Sequence, residues 1–199
     1  PALTAIQALR LAPPLKGKTV LVTGAASGVG HYIVQLVQMQ GARVIGTVGN
    51  DLRAAHARSG GCDEVILYKS ESVAQRVLDL THGQGVDVII DLDFASTSLL
   101  LPQGALKKHG TCVVYGSNNP GEVPVHFRTL LWSSLNLKFF LVYDLQAPDR
   151  KACIEQLQAL LHADRLQHTV TQRYPLHDLA LAHEAVEQGQ VIGHVVVDV

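Results

Sequence analysis

The sequence predicts a doubly wound α/β domain, a six-stranded parallel sheet with helices on both faces. Three observations predict it. Short β-branched apolar runs alternate with segments of helical period along the 199 residues, which is the rhythm of a parallel sheet with crossover helices. A turn made almost wholly of small residues, 24–30, joins the first of these runs to the helix after it. The composition, 47% apolar and 17% charged, supplies a real core and argues against disorder.

Residues 3–11 read as a helix that precedes the sheet. Thr19-Val20-Leu21-Val22-Thr23 follows Lys16 and Lys18 and meets Gly24; such a run suits a strand buried on both faces. Val29, Ile33, Leu36 and Val37 then recur at helical spacing, and Gly41 stands where a helix C-cap belongs. Residues 42–48 form the next strand, so 18–48 is one β-α-β unit. Residues 51–59 are helical, with Asp51 as N-cap and Gly60-Gly61 as the stop. Residues 64–67 make a short strand, 70–81 a helix ending before Gly83, and 86–91 a strand reading Val-Asp-Val-Ile-Ile-Asp. Residues 96–108 are expected to be helical, against the counter-signals of Pro102 and Gly104. Residues 111–115 are the fifth strand and 135–142 the sixth. Beyond Tyr143 the pattern changes to an amphipathic helix over 150–161, a second helix from Tyr174-Pro175-Leu176 through Glu187, and a closing strand over 193–199. Three parts result: a leading helix in 1–16, the sheet core in 17–145, and a C-terminal part in 146–199. Each crossover is expected to be right-handed.

The net charge of −1 gives no electrostatic basis for a nucleic acid or an anionic membrane as partner. No run of about 18 apolar residues exists to cross a bilayer, and no charged-then-apolar leader opens the chain. Cys62, Cys112 and Cys153 are odd in number and widely spaced, unlike a disulfide framework or a structural zinc site. They read as buried thiols in a reducing compartment, most simply the cytoplasm. The ten histidines include no close helical pair of the kind a metal needs, and they read as surface or capping residues. No metal site is expected.

The turn reads Thr23-Gly24-Ala25-Ala26-Ser27-Gly28-Val29-Gly30. Small residues there let the backbone approach a pyrophosphate and let the helix pack tightly on its strand. The helix N-terminus then presents unpaired N–H groups and partial positive charge to the phosphates. A glycine triplet also serves plain turns, but this one follows a buried strand and opens a helix inside a β-α-β unit, as in the Rossmann fold. Short-chain dehydrogenases share the Thr-Gly-x-x-x-Gly-x-Gly opening, and they need a tyrosine followed four residues later by lysine. Tyr32, Tyr68, Tyr115, Tyr143 and Tyr174 are followed at that spacing by Leu36, Ser72, Asn119, Ala147 and Asp178, so that chemistry is absent.

Across essentially its whole length the chain resembles the cofactor-binding half of medium-chain dehydrogenases/reductases, in the zinc-free NADPH:quinone oxidoreductase branch. The resemblance rests on Thr4-Ala5-Ile6-Gln7-Ala8-Leu9, Val20-Leu21-Val22 and Ala25-Ala26-Ser27-Gly28-Val29-Gly30. It continues in Gly41-Ala42-Arg43-Val44-Ile45-Gly46-Thr47 and Gly85-Val86-Asp87-Val88-Ile89-Ile90-Asp91, and closes in Tyr174-Pro175-Leu176, Ala182-His183 and Gly193-His194-Val195-Val196. It implies that a catalytic domain of roughly 100–150 residues, a GroES-like barrel, precedes this part in full-length members. It implies too that 174–199 normally packs against that domain. The family usually has glycine three residues after the aspartate ending strand four, where this chain has Phe94, and often glycine at Ser27.

An NAD site usually has Asp or Glu about 20 residues past the loop, on the ribose hydroxyls. That position falls at Val48 or Gly49, neither acidic. Arg53 stands one turn into the next helix and suits bidentate phosphate contact; the family often has lysine there and a tyrosine matching Tyr68 nearby. The cofactor expected is therefore NADPH, with Asp51 as the alternative, ribose-binding reading if the register is offset. The expected pyrophosphate contacts are Gly24, Ala25, Ala26, Ser27, Gly28, Val29 and Gly30, and Asn50, Arg53 and Tyr68 are expected at the adenosine end. Tyr115, Gly116, Ser117 and Asn118 follow the fifth strand at the sheet's carboxyl edge, and the resemblance implies nicotinamide contacts there and at Leu141 and Val142. No catalytic side chain is expected. The leading expectation is an enzyme part, passing hydride from NADPH to a small quinone or enone; the alternatives are an NADPH-holding module without turnover and a structural protein. Residues 135–142, a sheet edge guarded by one charge, Lys138, are expected to pair in a homodimer.

Overall fold

The computed structural model describes residues 1–119, 121–189 and 191–199. Helix α1 (Ala2–Leu11) leads into β1 (Thr19–Val22), α2 (Gly30–Met39), β2 (Arg43–Val48), α3 (Asp51–Ser59), β3 (Glu64–Leu67), α4 (Val73–Leu80) and β4 (Val86–Asp91). Then come α5 (Phe94–Thr97), β5 (Leu106–Val114), α6 (Phe127–Trp132), β6 (Asn136–Phe139), α7 (Ala147–His162), β7 (Val170–Pro175), α8 (Leu179–Glu187) and β8 (His194–Asp198). The first six strands form one parallel sheet in the order β3-β2-β1-β4-β5-β6, and β7 and β8 form a separate parallel pair.

The period of two along each strand divides the core. Val20 and Val22 of β1 join a cluster with Ile6 of α1, Ile33, Val34 and Val37 of α2, and Cys153 of α7. Leu21, between them, faces the other side with Ile45, Ile89, Val77 of α4 and Leu101. Both faces are covered, which is why Val20, Leu21 and Val22 of β1 and Val88, Ile89 and Ile90 of β4 run apolar without alternation. All three cysteines are free and buried. No helix of the described residues is long and apolar enough to cross a membrane.

The fold class is as expected, and several elements differ from the sequence reading. Residues 96–108 do not form a helix: α5 stops at Thr97, a 3-10 turn spans Leu101–Gln103, and Leu106 already belongs to β5. Gly104 ends that turn in the left-handed region at φ 84°, open to glycine at little cost. The helix expected from Tyr174 begins at Leu179, because 170–175 pair with β8 as a strand. The sixth strand covers only Asn136–Phe139, and Val142 opens a 3-10 turn. Helix α6 has no counterpart in the sequence reading; His126 caps it, accepting from Thr129 N. The N-cap of α3 is Asn50 rather than Asp51, its side chain accepting from Arg53 N at 2.9 Å.

Candidate cofactor site

The carboxyl ends of β1 and β4 diverge where the strand order reverses, the place where open α/β sheets hold ligands. Asp91, the last residue of β4, organises this crevice. Fully buried, its Oδ1 accepts from Thr23 Oγ1 at 2.7 Å, Thr97 Oγ1 at 2.6 Å and Asp93 N at 3.1 Å. Burial pushes its carboxyl pKa up, against the hydrogen bonds from Thr97 and Thr23. Thr23 Oγ1 in turn accepts from Leu92 N at 2.9 Å, so two loops that would flank a ligand are tied together.

The small-residue loop packs as the sequence requires. Gly24 adopts φ 62°, and a side chain there would overlap Leu92. A Cβ at Gly30 would overlap the Gly24 carbonyl, so only glycine lets α2 sit this close to its strand. Ser27 Oγ accepts from Gly30 N at 2.9 Å, capping the first turn with its own proton left to donate. Gly28 and Val29 N–H have no protein acceptor among the described residues, so both are available to an anion.

Several clefts run along the edge among the described residues, and three bear on the site. One, of about 320 Å³, is lined by Ser27, Gly49, Asn50, Arg53, Tyr68 and Lys69. It carries two cationic side chains and no carboxylate among its described lining residues. A side chain at Gly49 would press on the Tyr68 hydroxyl, 3.0 Å from its Cβ, so an acidic residue there would displace the tyrosine. Asp51 is exposed on α3 and lines none of these clefts. Arg53 is partly engaged: its Nη2 donates to Gly189 O at 2.6 Å and Val191 O at 3.2 Å, drawing the C-terminal segment to the rim. A second cleft, about 380 Å³, shares Gly24, Thr47 and Tyr68 with the first.

The third, about 640 Å³, is lined by Tyr115, Gly116, Ser117 and Leu141 with Phe94, Phe139 and Phe140. Val142 is not among its walls. Phe94 is buried and meets Phe139 edge-to-face at 5.1 Å, so the residue that departs from the family pattern becomes an apolar wall. Tyr115 reaches back beside Ser27 and Asp91, and burial, with the Asp91 charge, pushes its hydroxyl pKa well above the ordinary phenol value.

Sequence reasoning missed Lys69, Asp93 and His194, and placed Asn118 with Ser117 at the nicotinamide end, whereas it lines the second cleft beside Asp93. Lys69 simply follows Tyr68 in the chain, and nothing in its spacing gives it a role. Asp93 carries no signal beyond its place beside Phe94. His194 comes from the far end of the chain to lie against Gly28. The histidines are not all surface residues: His31 is buried and stacked on His56 at 4.3 Å, and His168 Nδ1 bonds the Tyr32 hydroxyl at 2.8 Å.

Residues 28–161 match the family described as zinc-binding dehydrogenase. The chain belongs to that family. Within it the fold is that of the cofactor domain of medium-chain dehydrogenases/reductases. A 2-haloacrylate reductase from a Burkholderia species is 29% identical, over 90% of this chain and 55% of that protein. A quinone oxidoreductase from Pseudomonas aeruginosa is 30% identical, over 90% of this chain and 56% of that protein. The Escherichia coli quinone oxidoreductase solved in complex with NADPH superposes with a TM-score of 0.83 at 28% identity, covering 99% of this chain and 62% of that one. The chain thus spans little more than half the length of these relatives. Although the family is named for zinc, no three His, Cys, Asp or Glu side chains among the described residues come together as a metal ion requires.

Proposed function

We propose that this chain is the NADPH-binding part of an oxidoreductase that passes hydride to a small conjugated carbonyl acceptor, a quinone or an enone. The observation that carries the reading is the cleft of Arg53 and Lys69, free of carboxylates among its described residues, beside a helix N-terminus. It suits a 2′-phosphate, whereas an NAD site would place an acid there. The pyrophosphate lies on Gly24 to Gly30, and the adenosine end on Asn50, Arg53, Tyr68 and Lys69. The names of the relatives support the acceptor class: quinones and 2-haloacrylate both carry a carbon–carbon double bond conjugated to a carbonyl.

NADPH supplies the hydride when bound. The chain's own part is placement. Tyr115, Gly116, Ser117 and Leu141 bound the nicotinamide cleft, and Phe94, Phe139 and Phe140 keep water from it. No side chain is assigned proton transfer, and the branch proposed is the zinc-free one, on the resemblance in sequence. The remaining walls of the acceptor pocket belong, in this reading, to a domain outside residues 1–199, against which 146–199 packs. Reduced, unpaired thiols fit a cytoplasmic setting.

The test is NADPH oxidation by this chain with a quinone, an enone and a saturated ketone. Only the conjugated acceptors should be reduced, far more slowly than the ~10 s⁻¹ of an ordinary enzyme, because positioning is incomplete. Turnover near that value would contradict the need for further walls, and reduction of the saturated ketone would contradict the acceptor class. Binding of NADPH with no oxidation at all would favour the non-catalytic module.

A further inference from the structure

One cleft shares Gly24, Thr47 and Tyr68 with the cationic cleft and extends away from it toward Val73, Leu92 and Leu100. Its walls are largely apolar, with Val73, Leu92 and Leu100, and it is large enough, at about 380 Å³, for a flat ring system. A nucleotide with its phosphate at Arg53 and Lys69 and its sugar across Gly24 and Thr47 would put its base here. Apolar walls with a few fixed polar groups hold a base by its faces and choose it by its edge.

Its polar lining comprises Thr23, Thr47, Tyr68 and Thr97 together with Asp93, Asn118 and Ser96, and of these Asp93 alone is a carboxylate. Asp93 Oδ1 accepts from Asn118 N at 2.8 Å, and Oδ2 accepts from Ser96 Oγ at 2.6 Å and Asn118 Nδ2 at 3.0 Å. All three donors are neutral and leave Oδ1 with a single partner, while the Ala95 N–H adds a weaker contribution to the group. Those bonds hold the carboxylate rigidly between the loops after β4 and β5. Burial alone would raise its pKa, but the bonds from Asn118 and Ser96 outweigh it and hold the group below its ordinary value, so it stays an ionised, acceptor-only group.

We propose that Asp93 reads the exocyclic amine of adenine, making the site selective for an adenine over a 6-oxo purine. The amine donates to the carboxylate, while a carbonyl oxygen at the same position meets its negative charge. The inference rests on the reading of the chain as an NADPH-binding domain, and adds a determinant at the opposite end of the nucleoside from the phosphate.

Fluorescence titration of the chain with NADPH and with its hypoxanthine counterpart, in which oxygen replaces the amine, tests it. NADPH should bind at least about tenfold tighter, or ~1.4 kcal/mol. In Asp93→Asn, whose amide can donate to the oxygen, that preference should largely disappear. The comparison of the two cofactors on the unsubstituted chain is decisive even if the variant folds poorly. Equal affinity for both cofactors overturns the role of Asp93 while leaving NADPH binding intact, as does a preference unchanged in a folded Asp93→Asn. Binding of neither cofactor overturns this inference together with the function on which it rests.

Discussion

Single residues carry two effects that can be measured separately. Asp91 accepts from Thr23, Thr97 and Asp93 N with no exposure to solvent. Asp91→Ala leaves all three donors without that acceptor inside the protein, so urea unfolding should show a loss of roughly 3 kcal/mol; a loss within about 0.5 kcal/mol, as for an ordinary surface site, would mean the crevice is held otherwise. His31 is 5% exposed, and neither ring nitrogen has a hydrogen-bond partner of good geometry among the described residues, the Gln167 backbone being the one polar group that favours its charged form. Burial first, then the charges of His56, His194 and His168, lower its pKa from 6.5 to about 4. The unfolded chain therefore takes up a proton that the native ring refuses. Stability is full above pH 6.5 and falls as the pH drops toward 4. Allowing for solvent screening, His31 should account for about 2 kcal/mol of that fall. Melting curves across this window should show a shallower acid slope for His31→Phe, and an identical slope would assign the loss elsewhere.

Among the elements, the junction of β1 and α2 is the most constrained. Gly30→Ala forces a methyl group against the Gly24 carbonyl, and overpacking of this kind costs about 1–3 kcal/mol. It should lower both the melting temperature and the affinity for dinucleotide, since the loop must shift; a variant that kept both would show that the close approach is not required. Elements governed by local signals were legible. Residues 64–67 and 86–91 are strands bounded by turn residues, and both match at each end. Elements governed by distant partners were not. Residues 170–175 become a strand only because β8 pairs with them, and the Tyr174-Pro175-Leu176 sequence hides that. Residues 106–108 carry no strand alternation of their own and are recruited by Val86 of β4. In the site, the glycine loop was legible because its backbone needs particular residue types. Lys69 and Asp93 were not, since a charged side chain gains a role only when a cleft forms beside it.

At the scale of the whole molecule, the sheet ends at β6 with Phe139 59% exposed. Its one charge, Lys138, donates to Leu11 O of α1 at 2.7 Å and so does little to guard the edge. Pairing of β6 with its copy about a two-fold axis is the proposed assembly. Sedimentation at micromolar concentration should show a dimer that Leu137→Pro converts to monomer; a dimer untouched by the proline would place the interface elsewhere. The sheet, the loop and the clefts all converge on one claim, that a phosphorylated dinucleotide binds along this edge. Titration calorimetry with NADPH and NADH on the unsubstituted chain tests it most directly. NADPH should bind tighter by about 1.5–3 kcal/mol, the worth of a charge-assisted hydrogen bond, with Lys69→Ala and Arg53→Ala each narrowing the gap. Equal affinities, or a preference for NADH, would contradict the account.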